Sequence, residues 1–112
     1  MTNKNFHLSD SDIQTLVMTL SILPTLGLED SDIQAKINMQ CCLSAVEHLA
    51  TLDSYKPTPN EVRIMYASLQ AAQLINKGRL KADSEVKAKC SNAMFSINKL
   101  LPHFESYIKQ LS

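Results

Sequence analysis

The stretch TPNEVRIMYASLQAAQLINKG, residues 58–78, reads as a complete helix with both of its ends marked. Thr58 is an N-cap, and Pro59 takes the first helical position, where its missing N–H would have had no partner in any case. Glu61 completes a capping box by reaching back to the Thr58 backbone. Val62, Met65, Leu69, Ala72 and Ile75 then recur at three- and four-residue steps, which is one face of a helix. Ala67, Ser68 and Ala71 are small, so a neighbouring helix can approach closely there. Lys77 suits the negative end of the helix dipole, and Gly78 ends the helix.

Working outward from this helix, the C-terminal side carries a second long seam. It starts near Asp83 or Ser84, and Val86, Cys90, Ala93, Ile97, Leu100, Phe104, Ile108 and Leu111 follow at alternating four- and three-residue steps. Pro102 falls inside the seam and is expected to kink or break the last helix. The period carries through it, so Phe104 to Leu111 should stay helical and pack on the same core.

On the N-terminal side, a helix is expected from about Asp30 to Leu52, followed by a loop at Asp53–Pro57. Its main stripe is Ala35, Met39, Cys42, Val46 and Leu49, with Leu43, Ala45 and Ala50 alongside. Ile33, Ile37 and Cys41 form a second line, so the helix is apolar on more than one face and is either central or covered by another chain. A first helix should begin at Ser9 or Asp10 and run to Leu23, ahead of Pro24, with Ile13, Leu16, Val17, Leu20 and Leu23 on its inner face. Gly27 supplies the permissive backbone of the turn. Leu8–Gln14 and Leu28–Gln34 match at six of seven positions. The match stops there, so both read as helix starts rather than as a duplicated domain. No segment alternates with period two. The expected fold is all-α, an antiparallel bundle of four main helices in a single domain over residues 1–112, with residues 1–8 flexible.

Composition bounds the function classes. The chain has 112 residues and 45% hydrophobic content, enough for one core without staples, and two Gly with four Pro exclude a fibrous or linker-like composition. The longest uncharged run, Ile13–Leu28, is too short and too polar to span a bilayer. Met1–Asn5 leads into polar residues rather than a secretion signal. Three Cys, two of them adjacent, fit reduced thiols, and a cytoplasmic location is expected. Residues 1–54 carry two basic and seven acidic side chains, a net −5, and residues 55–112 carry nine basic and four acidic, a net +5. Half of the molecule would therefore repel phosphate.

The candidate chemistry is thin. Cys41 and His48 share a helix face, but zinc needs four ligands, and adjacent Cys41 and Cys42 point about 100° apart on a helix. Asp10/Asp12 and Asp30/Asp32 lack the Gly and terminal Glu of a calcium loop. No Glu-x-x-His pairs, nucleophile elbow or phosphate-binding Gly-rich loop is present. No catalytic residue, metal or cofactor is assigned, and the chain is not expected to be an enzyme. Lys77, Arg79, Lys81, Lys87 and Lys89 make a basic stretch that would support weak nucleic-acid contact, tempered by Asp83 and Glu85. Apolar residues off the inner stripes, namely Met18, Ile22, Ile33, Ile37 and Cys41, are the expected protein interface, with Ile64 and Leu74 flanking the third helix. The sequence thus predicts a small non-enzymatic protein-binding module: an adaptor, regulator or inhibitor of the kind found in phage and mobile elements, homodimeric, with its other partner unidentified. The alternative is a weak nucleic-acid-binding regulator using Lys77–Lys89.

Overall fold

The computed structural model describes residues 8–27, 31–50 and 58–111, and over these every regular element is helical, with no strand. In chain order they are α1 (Asp10–Ile22), a 3-10 turn (Leu23–Leu26), α2 (Asp32–Ala50), α3 (Pro59–Asn76), α4 (Ser84–Asn92) and α5 (Met94–Leu111). The fold is all-α with five α-helices among the described residues, where four main ones were expected. The expected flexibility of residues 1–7 and the loop at residues 53–57 lie outside the described residues. Leu8 is half-buried against the core.

Each start follows from its capping chemistry. Ser9 Oγ accepts the Asp12 N–H at 3.1 Å and Asp12 Oδ2 accepts the Ser9 N–H at 3.2 Å, a capping box for α1. The echoed segment starts its helix two residues later in the pattern, at Asp32. Ser31 Oγ instead accepts the Gln34 N–H at 3.1 Å. Thr58 and Glu61 form the box expected for α3, and Asp83 Oδ1 takes the Val86 N–H to start α4.

The ends are equally local. After α1, Pro24 sits in the 3-10 turn, and Gly27 closes it at φ 63°, in the left-handed region. At the end of α3 the Arg79 N–H reaches the Leu74 carbonyl at 2.9 Å and the Gly78 N–H reaches Ile75 at 3.1 Å, a Schellman motif with Gly78 at φ 73°.

The last seam does not break at Pro102. Helix α5 runs from Met94 to Leu111 without interruption, and Phe104 beyond the proline is fully buried. The break comes earlier, at Ala93 (φ −99°, ψ 8°), where sequence gives no Gly or Pro to mark it. The Asn76 side-chain amide of α3 donates to the Cys90 carbonyl at 3.0 Å, capturing the acceptor that the Met94 N–H would use in a continuous helix.

Helix α3 is the hub. It packs against α1, the 3-10 turn, α2, α4 and α5, whereas α2 touches only α1, the 3-10 turn and α3 among the described residues. Helices α3 and α5 run antiparallel, since Tyr66 meets Glu105 and Gln73 meets Asn98. The small residues of α3 admit α1 closely, and Thr19 and Ser68 hydroxyls meet at 2.8 Å in the buried interface. Each hydroxyl also reaches a carbonyl of its own helix, Ser68 that of Met65 at 2.7 Å and Thr19 that of Leu16 at 3.2 Å, so either can supply the proton they share. That contact turns Thr15 and Thr19 inward beside Leu16 and Leu20, while Ile13 and Val17 become half-buried at the edge. The second helix is thus peripheral, not central.

Candidate functional site

Helix α2 presents one side to the core and leaves apolar side chains among polar ones on the opposite side. Its inward residues are Cys42, Ala45 and Leu49, all buried. At about 100° per residue, Ile33, Lys36, Ile37, Gln40, Leu43 and Glu47 fall within about 120° of arc centred opposite that core side. All six are exposed, with Ile33 at 73%, Ile37 at 55% and Leu43 at 63% of their full surface. Met39, expected on the inner stripe, is exposed on the flank of this face, and Val46 is only half-buried. Among the described residues α2 rests on α1, the 3-10 turn and α3, and no other helix covers its remaining flank, which goes with the rotation of the inner seam.

The five interface residues expected from sequence separate into three places. Ile33 and Ile37 stand on the open face of α2. Cys41 is half-buried, its thiol 3.6 Å from the Asn60 carbonyl at the start of α3. Ile22 is a correction: at 7% exposure it belongs to the core, since α1 is rotated by the Thr19–Ser68 contact. Met18 is half-buried on α1.

Met18 and the outer edge of Ile22 line a shallow groove of about 520 Å³ between α1 and α4, with Ile13, Val17 and Val86 as its other apolar walls. Gln14, Ser21, Thr25 and Lys89 make its rim polar. This groove exists because α4 is short and ends at Ala93, so it covers only part of α1.

A polar cluster joins α2 to α3. The Glu61 carboxylate is buried and accepts three hydrogen bonds: from the Thr58 N–H at 2.9 Å, from the Ser44 hydroxyl at 2.9 Å and from His48 Nδ1 at 2.7 Å. Ser44 and His48 lie one turn apart on α2, so one carboxylate both caps α3 and ties α2 to it. Burial, and secondarily the Glu61 carboxylate, push the Cys41 thiol above its ordinary pKa, which keeps it protonated and a poor nucleophile. Among the described residues no group of three or more His, Cys, Asp or Glu is arranged to hold a metal ion.

The basic residues Lys77, Arg79, Lys81, Lys87 and Lys89 are all exposed, but the helix does not pool them. Lys87 and Lys89 emerge about 160° apart around α4. Lys89 borders the groove, and Lys77, Arg79 and Lys81 sit at the α3 end and in the connection to α4.

Sequence reasoning missed Leu43 and Met39 on the α2 surface and Phe95, 83% exposed in the first turn of α5. Phe95 lies off the seam that passes through Ile97 and Leu100, a signal available in the sequence. The Glu61–His48 contact had no such signal, because it forms only when α2 crosses the start of α3. No helix among the described residues is long and apolar enough to cross a membrane. Neither a family model, nor a curated protein, nor a solved structure matches this chain.

Proposed function

We propose that this chain is a non-catalytic protein-binding module, an adaptor, regulator or inhibitor, that engages its partner through the outer face of α2. The observation that carries this reading is the row of Ile33, Ile37 and Leu43 on a helix surface facing away from the core. Burying one such side chain contributes about 1.5–3 kcal/mol, so three left in water forgo several kcal/mol that a partner recovers. Lys36, Gln40 and Glu47 stand between them on the same arc, a mixed apolar and polar composition of the kind that binding surfaces taken whole have.

The test is a photo-crosslinking residue at Ile37, with one at Gln70, a solvent-exposed polar position on α3, as the control. Discrete protein adducts at position 37 and none at position 70, in the native cell, are expected. Adducts to nucleic acid, or none at either position, overturn the reading. The accompanying variant Ile37→Asp should keep its stability within about 0.5 kcal/mol while losing the adducts of a second crosslinker at Ile33. Leu49→Asp, at a buried position, should cost more than about 3 kcal/mol. Thermal or denaturant melts compare the two.

A further inference from the structure

The charges on the outer face of α2 are arranged to pair with themselves. Lys36 and Glu47 stand on the same side, opposite the core, eleven residues or about 16 Å apart along the axis. Neither makes an ion pair within the described structure. Between and beside them lie Ile33, Ile37, Gln40 and Leu43, all exposed. A helix with a cation near one end of its open face and an anion near the other is complementary to the same helix turned end for end.

We infer that the α2 face takes a second copy of this chain, in an antiparallel two-fold pair that sets Lys36 of each copy against Glu47 of the other. This rests on the reading of that face as a protein-binding surface and names its occupant. The two-fold axis passes midway between Lys36 and Glu47, which brings the Gln40–Leu43 stretches of the two copies face to face. Ile37 then comes level with the turn before Glu47 of the second copy and covers its aliphatic portion, while Leu43, about 120° away around the helix, meets its own copy along the other edge of the pair. A parallel pair would instead oppose Lys36 to Lys36 and Glu47 to Glu47, and like charges directly opposed disfavour that arrangement. The symmetry makes every contact occur twice, so a short interface gains from each side chain in duplicate. One helix face per protomer places the interface at the small end of specific contacts, so association in the micromolar range is expected.

Sedimentation velocity on the purified full chain, from about 1 to 100 µM, tests this. Wild type should dimerise reversibly and more weakly as salt is raised. Lys36→Glu alone and Glu47→Lys alone should each weaken the dimer about tenfold, because each turns two attractive pairs into two repulsive ones. The double variant Lys36→Glu/Glu47→Lys should regain the wild-type affinity. Both positions are exposed, so unchanged circular dichroism melts will show that the fold is kept. A double variant no tighter than the single ones, or a dimer that ignores all three yet is lost in Ile37→Asp, overturns the antiparallel register. A wild type that stays monomeric at the highest concentration overturns self-pairing. If position 37 nevertheless crosslinks another protein in the cell, the binding surface stands and only its occupant is wrong. If it crosslinks nothing, both readings fall.

Discussion

Glu61 shows how much one side chain can organise. Its two oxygens serve Thr58, Ser44 and His48, so it is at once the cap of α3 and the polar tie between α3 and α2. Removing it in Glu61→Ala leaves the Thr58 N–H, the Ser44 hydroxyl and His48 Nδ1 without their acceptor, and of the three the half-buried Ser44 has the least access to water. Losing the cap and stranding these donors is expected to cost about 2–4 kcal/mol, read as a lowered midpoint in urea unfolding. Thr58→Ala, which removes only the reciprocal half of the box, should cost about 1 kcal/mol. The difference between the two reports the share held by α2. At this scale the capping half was legible, because Thr58 and Glu61 stand three residues apart in the sequence. The tie to Ser44 and His48 was not, since no local pattern says which face of α2 will meet the start of α3. The same limit applies to Thr19, a polar residue that local reasoning leaves outside and that Ser68 draws into the core.

Among the elements, α4 and α5 show which breaks are written locally. Pro102 lacks an N–H for the Asn98 carbonyl, yet α5 continues through it, because Ile97 and Leu100 before it and Phe104 after it all bury on one core. Tertiary packing outweighs the local penalty there. The carbonyl left without its helical donor belongs to Asn98, an exposed residue where water can serve it. Pro102→Ala should therefore stabilise the protein by about 1–2 kcal/mol, the restored helical hydrogen bond being partly offset by a freer unfolded chain. Denaturant unfolding of the two proteins decides it. No gain would mean that the backbone course imposed by the ring is needed to seat Phe104. The actual break at Ala93 was not legible, since it depends on the Asn76 amide of a different helix capturing the Cys90 carbonyl. Periodicity found the seam from Val86 to Leu111 but could not see that a side chain from α3 would divide it. The register of α2 was lost in the same way: Met39 and Cys42 both fit its apolar stripe, but among the described residues no helix packs on the flank that carries Met39, which stands outside.

For the molecule as a whole, α3 at the hub and α2 at the edge divide labour. The all-helical class was legible because four segments carry their own caps and periods. The rank of the helices in the core was not, since α2 and α3 are similarly apolar and only the contacts show that α3 is surrounded. The uneven charge of the chain, −5 over residues 1–54 and +5 over residues 55–112, then bears on the competing partner class. A duplex-binding surface needs several cations converging on one phosphate track, and each neutralised phosphate adds to the salt dependence. Here Lys87 and Lys89 diverge around α4, while Asp83 and Glu85 sit at the start of that helix, so few of the five basic side chains can address one duplex together. Binding to generic duplex DNA should accordingly fall in the range of about 10⁻⁴–10⁻⁶ M or weaker at physiological salt, with a slope of log affinity against log salt no steeper than about −3. Fluorescence anisotropy with a labelled duplex at several salt concentrations measures both quantities. Should the affinity be sub-micromolar and persist at physiological salt, the basic stretch would be the working surface. In that case the open face of α2 would serve at most to pair the DNA-binding units, since two copies would double the cations presented to one duplex. The salt slope separates these cases, because a pair acting together would give about twice the slope of a charge-swapped monomer.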